Sequence, residues 1–260
     1  MFVNIISFAE ETAFEAGKII LKGFRSKLTV INKKSPTNLV TSMDIASEKF
    51  IVEAIKKKFP AHSIIAEEGN SFEKGTDFVW YIDPIDGTNN YAHGIANFAV
   101  SIGIFSVEQN SMCAGIVYDP YHDEMFKGMS GSGAYLNGEQ IDVSKTGKLD
   151  HSIIATGFPY KKKNSSSNNS IQLSNILPHV RDIRRLGAAS LDLCYVACGR
   201  IDGYWESTLQ PWDSAAGSII VEEAGGKVTR YSGEKYLPWK DDVVASNGII
   251  HKKIIKYIGL

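Results

Sequence analysis

The residues of this chain that could do chemistry cluster between Phe78 and Gly94, which read Phe-Val-Trp-Tyr-Ile-Asp-Pro-Ile-Asp-Gly-Thr-Asn-Asn-Tyr-Ala-His-Gly. Asp83 closes an apolar run, Asp86 follows three residues later, and Gly87-Thr88 opens a polar stretch. Two carboxylates held at the end of one strand repel each other, by roughly 4 kcal/mol at a separation of about 4 Å and an effective dielectric of about 20. Bound cations remove that cost. Oxygen donors with no thiolate or imidazole beside them suit hard ions, Mg²⁺ first and Mn²⁺ as a substitute, and such ions commonly bind substrate phosphate. Pro84 predicts a turn between the two aspartates. Asp, Pro and Gly dominate turns for conformational reasons as well, so the segment by itself leaves an ordinary turn open.

Three further acidic positions fall near the ends of predicted elements. Glu67-Glu68 follows the apolar Ile64-Ile65-Ala66, Asp44 stands at the start of a helical pattern, and Asp213 lies in Pro-Trp-Asp-Ser-Ala-Ala-Gly at the start of another. Acidic residues are common near helix starts, so each alone is unremarkable. Together they raise a sharper possibility than any one of them does.

The elements that must position these groups are legible from periodicity. Ile5, Phe8, Ala9, Thr12, Ala13, Ala16, Ile19 and Ile20 predict an amphipathic helix that stops near Gly23. A second helix is predicted from Thr41 or Ser42 to Phe59, with Pro60 after it. Strands are expected over 63–66, 78–83, 98–105 and 112–118, with shorter ones to about Val143, in a mostly sequential sheet. Beyond that point the pattern alternates. Strands at 152–156, 202–206, 227–229 and 243–245 are interleaved with helices at 170–177, 188–198, 214–224 and 249–258. The expectation is one compact unit over 1–260, with an α+β half (1–145) against an α/β half (146–260). Lys161-Lys-Lys-Asn-Ser-Ser-Ser-Asn-Asn-Ser170 reads as an exposed, mobile loop whose lysines could draw in an anionic substrate.

Composition narrows the function classes. With 28 basic and 29 acidic residues and a formal charge of −1, the chain lacks the electrostatic footprint of a general nucleic-acid or membrane-surface binder. Cys113, Cys194 and Cys198 are too scattered for a disulfide framework or a cysteine zinc site, and the last two, four apart, fit one helix face in a core. The N-terminus has neither a basic start nor an uninterrupted apolar stretch, so no secretory signal is read there and a soluble cytoplasmic protein is expected. No dinucleotide-binding, P-loop or His-Glu-x-x-His pattern occurs, Gly128-Met-Ser-Gly-Ser is only a near miss for a nucleophile elbow, and the six histidines show no ligand spacing.

Ala66-Glu-Glu-Gly69, Asp83-Pro-Ile-Asp-Gly-Thr88 and Trp212-Asp-Ser-Ala-Ala-Gly217 occur in an order and at distances that resemble the Mg²⁺-dependent, lithium-sensitive inositol monophosphatases. Asn38-Leu-Val-Thr41, Thr156-Gly-Phe-Pro-Tyr160 and Glu222-Glu-Ala-Gly-Gly226 agree, so the resemblance spans essentially the whole chain. It implies the layered αβαβα sandwich of the sugar phosphatases, with the site between the halves, and a homodimer. It implies two to three Mg²⁺ per site. Glu67, Asp83 and the Ile85 carbonyl would hold one, Asp83, Asp86 and Asp213 a second, and Glu67 a third. It assigns Asp44 and Thr88 to positioning and helping to deprotonate the attacking water, with Glu67 serving catalysis through the metals. It assigns phosphate and substrate contacts to Asp86, to the Gly87 and Thr88 amides, to Gly187-Ala188-Ala189 and to Glu206, and a flap role to Lys33. On this reading a larger residue at Gly87 would crowd the phosphate. Asn89 interrupts the commonest family pattern, while Asn90 and Tyr91 keep it.

The implied reaction is hydrolysis of a phosphorylated polyol or sugar, inositol 1-phosphate first. Fructose 1,6-bisphosphate, adenosine 3′,5′-bisphosphate, NADP and histidinol phosphate are alternatives on the same metal core. A non-catalytic interaction module on this fold is the reading from a different class. Without the resemblance, Glu206 could simply end a strand, and Lys33-Lys34 could be solvated.

Overall fold

The computed structural model describes residues 2–26, 30–35, 38–72, 77–159 and 169–259, with the backbone alone at 2–3, 30–35 and 38. The chain opens with helix α1 (Phe2–Gly23), a hairpin of β1 (Val30–Ser35) and β2 (Asn38–Thr41), and helix α2 (Ser42–Lys58). Then follow β3 (Ser63–Ala66), β4 (Phe78–Asp86), the short α3 (Thr88–Ala92), β5 (Ala99–Ser106), β6 (Ser111–Asp119), β7 (Glu124–Met129), β8 (Gly133–Leu136) and β9 (Glu139–Ile141). The second part contains β10 (Ile153–Thr156), α4 (Ser170–Ile176), β11 (Asp182–Arg184), α5 (Ala189–Ala197), β12 (Gly203–Ser207), α6 (Pro211–Glu223), β13 (Lys227–Thr229), β14 (Asp242–Ser246) and α7 (His251–Ile258).

β3 to β9 form a seven-stranded sheet in sequential order, parallel only between β3 and β4. A five-stranded sheet has the order β11-β10-β12-β14-β13, parallel across its first three strands and antiparallel after. Both sheets are covered on both faces, and side-chain alternation shows how. Trp80, Ile82, Ile102, Ile104 and Ile116 face Ile5, Ala9, Ala13 and Ala16 of α1 and Ile51 and Ile55 of α2. Intervening residues such as Val117 and Phe126 face α5 and α6. In the smaller sheet Ala155, Tyr204 and Val243 join that same middle layer, while Ile154, Trp205 and Val244 meet α4 and α7 on the far side. The period of two thus produces five layers, α-β-α-β-α.

The middle layer sits unusually close to the larger sheet. Gly103, Gly115 and Gly128 are register partners on three adjacent strands. A Cβ at Gly103 would stand 2.8 Å from Ala215 Cβ, one at Gly115 2.3 Å from the Ala216 carbonyl, and one at Gly128 2.8 Å from Ile220 Cα. The backbone of α6 therefore lies directly on sheet backbone.

Most predicted elements occur within a few residues of their expected bounds, with instructive differences. β4 does not end at Asp83: Asp83 pairs with Ser101 and Asp86 with Ala99, so three steps on β4 match two on β5. The expected turn at Pro84 is a β-bulge, which accommodates a residue with no N–H to give to the ladder. α6 starts at Pro211, three residues before the predicted 214, because Pro is well suited to a first helical turn and Gln210 and Asp213 form a capping box around it. Neither the β1–β2 hairpin nor β11 was among the predicted elements. Of the polar stretch read as a mobile loop, residues 161–168 lie outside the described residues. Asn169 departs from that reading, being buried and bound to Gly157, Ser207 and Tyr231. Cys194 is buried on α5, and Cys198, just past its end, is half-buried. Among the described residues no helix is long and apolar enough to cross a membrane.

Candidate active site

The bulge in β4 determines which way the two aspartates face. Residues three apart on a regular strand point to opposite faces, and one extra residue restores them to the same side. Asp83 and Asp86 accordingly line one cavity of about 420 Å³, together with Glu67, Glu206 and Asp213. Glu67 arrives from the end of β3, its N–H still bonded to the Ile82 carbonyl at 3.2 Å. Asp213 comes from the first turn of α6, where one carboxylate oxygen accepts the Gln210 N–H at 2.7 Å. Ile85, Gly87, Thr88, Gly187 and Ala189 also line the cavity. Five of the predicted acidic groups, drawn from both sheets and from α6, therefore meet in one place.

Asp44 stands one layer behind. It is fully buried in the first turn of α2, bonded by the Thr41 N–H at 2.8 Å and hydroxyl at 2.5 Å, and it receives Thr88 Oγ1 at 3.2 Å. The same Thr88 hydroxyl lies 3.0 Å from the Ile85 carbonyl. Ala188 does not line the cavity: its methyl joins the buried middle layer and faces Gly87. Gly87 has φ +91°, and a Cβ there would meet the Asn97 carbonyl at 2.8 Å, so a side chain is excluded by scaffold and backbone conformation. That is a different crowding from the one predicted against phosphate. Lys33 lies on β1, with its side chain outside the described residues.

The electrostatics are lopsided. Among the described residues, five acidic side chains line the cavity and one cationic residue, Arg185, joins them. Burial pushes the Asp83 carboxyl well above the ordinary carboxylate range, and the proximity of Glu67, Asp86, Asp213 and Asp44 adds to it. Burial, then Glu67, does the same for Asp213. Burial raises Asp44 to about 6 against the opposing pull of its Thr41 hydrogen bonds. Glu206 rises to about 7, again chiefly by burial, with Tyr204 and Arg185 pulling the other way. Among the described residues, no three acidic, imidazole or thiol side chains stand close enough to form a metal-ligand group as they are placed. Hydrogen bonds hold three of the carboxylates: Asp83 is tied to the Ile85 N–H, Asp86 to the start of α5, and Asp213 to Gln210. The donor set nevertheless suits a hard divalent ion, being all oxygen, multiply acidic and free of cysteine and histidine.

Several contributors had no role assigned from sequence. Ser190 gives both its N–H (2.7 Å) and its hydroxyl (2.6 Å) to one oxygen of Asp86, while the Ala189 N–H reaches the other at 3.2 Å. The N-terminus of α5 thus holds that carboxylate, where the helix dipole favours negative charge. Asn90 bridges the Asn97 and Leu186 carbonyls at 2.9 and 2.8 Å, joining α3 to the segment before Gly187. Glu206 accepts the Tyr204 hydroxyl at 2.5 Å, and its carboxyl occupies space that a side chain at Gly157 would need. Sequence carried one usable hint for this last pair, since positions two apart on a strand share a face.

Comparison with known proteins gives a consistent result. The Inositol monophosphatase family matches residues 3–259. The chain is 40% identical over 254 residues to the chloroplastic phosphatase IMPL1 of Arabidopsis thaliana, covering 95% of this chain and 68% of that protein. It is 38% identical over 256 residues to the Nus factor SuhB of Pasteurella multocida, covering 98% and 95%. The solved inositol monophosphatase of Anabaena (Nostoc) superposes with a TM-score of 0.88 at 38% identity, covering 98% of this chain and 95% of that one.

Proposed function

The chain belongs to the inositol monophosphatase family, and from that premise we propose that it is a Mg²⁺-dependent phosphate monoester hydrolase whose preferred substrate is inositol 1-phosphate. The observation that carries the reading is the convergence of Glu67, Asp83, Asp86 and Asp213 on one cavity, backed by the Thr88–Asp44 hydrogen bond. Phosphate monoesters resist hydrolysis so strongly that a catalyst must bring positive charge, an aligned nucleophile and a stabilised leaving oxygen together. Glu67, Asp83, the Ile85 carbonyl, Asp86 and Asp213 would hold two to three Mg²⁺, with Mn²⁺ able to replace it. Bound there, the ions supply Lewis acidity to the phosphoryl group and acidify a water.

The protein's own groups do the rest. Thr88 Oγ1, bonded to Asp44, is placed to orient a water while passing proton density toward a buried carboxylate that a hydroxyl alone could not match as a base. The Gly87 and Thr88 amides at the start of α3 face phosphate oxygens. Glu206, with one oxygen engaged by Tyr204, keeps the other for a substrate hydroxyl, and Gly187 and Ala189 form the wall beside it. Lithium inhibition, a homodimer and a cytoplasmic location belong to the same proposal.

Phosphate release measured with Mg²⁺ across inositol 1-phosphate, fructose 1,6-bisphosphate, adenosine 3′,5′-bisphosphate, NADP and histidinol phosphate tests it. Fastest turnover of the inositol ester supports the substrate assignment, another rank order replaces it, and no turnover of any ester removes the hydrolase. The relatives named Nus factor favour a second reading, an interaction role on the same fold. A specific macromolecular partner bound by a protein inactive on every ester would select it.

A further inference from the structure

Helix α2 buries one stripe of side chains that is polar in its first half and apolar in its second. Ile51, Val52 and Ile55 pack into the core, whereas Asp44, Ser47 and Glu48, one turn earlier, are equally buried and each reaches a different segment of the site. Asp44 meets Thr88, and Ser47 Oγ donates to the Pro84 carbonyl at 3.3 Å. Glu48 is 0% exposed and takes hold of the turn that follows Glu67. One of its oxygens accepts the Glu68 N–H at 2.5 Å, and the other accepts the Asn70 N–H at 3.0 Å and the Asn70 side-chain amide at 2.7 Å.

A buried acidic side chain is costly, and among the described residues no Lys, Arg or His forms an ion pair with Glu48. Gly69 and Asn70 are exposed, so water could satisfy much of this turn without help. The fold alone does not explain why a glutamate is buried here. The geometry of Glu67 does. Its own N–H is fixed to Ile82, the residue before Asp83, and the next amide along the chain is fixed to Glu48. Both sides of the Glu67 α-carbon are therefore pinned, one by the sheet and one by α2. Gly69, at φ +104°, lets the turn fold back so that two amides reach a single carboxylate.

We infer that Glu48 is a positioning residue that sets where Glu67 stands relative to Asp83, through the amides of Glu68 and Asn70. This rests on the proposal that Glu67 holds a divalent ion. Residues that orient a metal ligand typically cost ten- to a hundred-fold in metal affinity when altered. Glu48→Gln keeps the size and replaces one acceptor oxygen by an NH₂ group facing donors. Glu48→Asp keeps the charge and withdraws it by one methylene.

The test titrates MgCl₂ alone into the full-length protein by calorimetry, alongside amide hydrogen exchange of the metal-free protein and its melting temperature in EDTA. Both variants are expected to lose about tenfold or more in Mg²⁺ affinity and to exchange faster at Glu68 and Asn70. A lower melting temperature with unchanged Mg²⁺ affinity of the folded protein reduces Glu48 to a structural role and overturns the inference. If Glu48→Gln does not fold, Glu48→Asp decides by the same two readouts. Wild type that takes up no Mg²⁺ refutes the metal reading instead. Exchange, which needs no metal, then decides whether Glu48 holds the turn, and unchanged rates at Glu68 and Asn70 overturn that as well.

Discussion

Two buried polar clusters in this molecule have opposite characters. Around His251 every ring nitrogen is answered: Nδ1 lies 2.8 Å from Ser246 Oγ and Nε2 2.8 Å from Thr229 Oγ1. Its partners are neutral hydroxyls, and burial, helped by Lys227, lowers the imidazole to about 4 so that it stays uncharged. Around Asp83 the neighbours are other acids, and burial drives its carboxyl up with their proximity adding to it. The first cluster ties β13 and β14 to α7. The second works against the folded state until positive charge arrives. A satisfied polar group adds to stability, while a set of like charges held together is better explained by what it binds.

Changes at the acidic cavity sharpen this contrast most. Asp83→Asn or Asp213→Asn is expected to lower turnover on the order of 1,000-fold, because each removes a proposed metal ligand with little change of shape. In EDTA the same substitutions should raise the melting temperature, by about 2–4 °C if roughly 1 kcal/mol of repulsion is relieved. Circular dichroism and phosphate release on the same samples check both, and a variant that loses activity together with stability breaks the comparison. Glu206→Gln should raise KM for a polyol phosphate about tenfold with a smaller change in kcat, since it removes recognition and leaves the proposed ligands in place. Ser190→Ala deletes one of three bonds to Asp86, and a several-fold loss of kcat/KM is expected from steady-state assays.

The His251 cluster gives the mildest test, and its sign follows from linkage. The folded value, about 4, lies below the ordinary value of 6.5. The unfolded chain therefore gains a proton first as pH falls, and stability present above about 6.5 is lost toward 4, by at most roughly 3 kcal/mol. Urea unfolding at several pH values should show that slope, and His251→Asn should flatten it. An unchanged slope would mean that the imidazole titrates normally.

Much of this architecture could be read before any coordinates because its causes are local. The three- and four-residue spacing of α1, the apolar runs of β5 and β6, and the Thr41 and Asp44 cap of α2 each depend on neighbours in sequence. The acidic residues were visible by type. Their convergence was implied only by the family resemblance, because α6 lies far along the chain from β3 and β4. What stayed hidden depends on cross-strand register or on backbone packing. The bulge at Pro84 is defined by which residue of β5 faces it, Ser190 by the approach of α5 to Asp86, and Glu48 by a turn twenty residues away. No periodicity encodes such pairings.

The row formed by Gly103, Gly115 and Gly128 bears on how the acidic cavity keeps its dimensions. Side chains can hop between rotamers, and layers separated by them can drift by fractions of an ångström. Here main chain rests on main chain, so the reach from Asp213 to the aspartates of β4 is calibrated by peptide geometry itself. A single methyl added along that row would act as a shim, tilting α6 and carrying its first turn out of alignment from well beyond the reacting atoms.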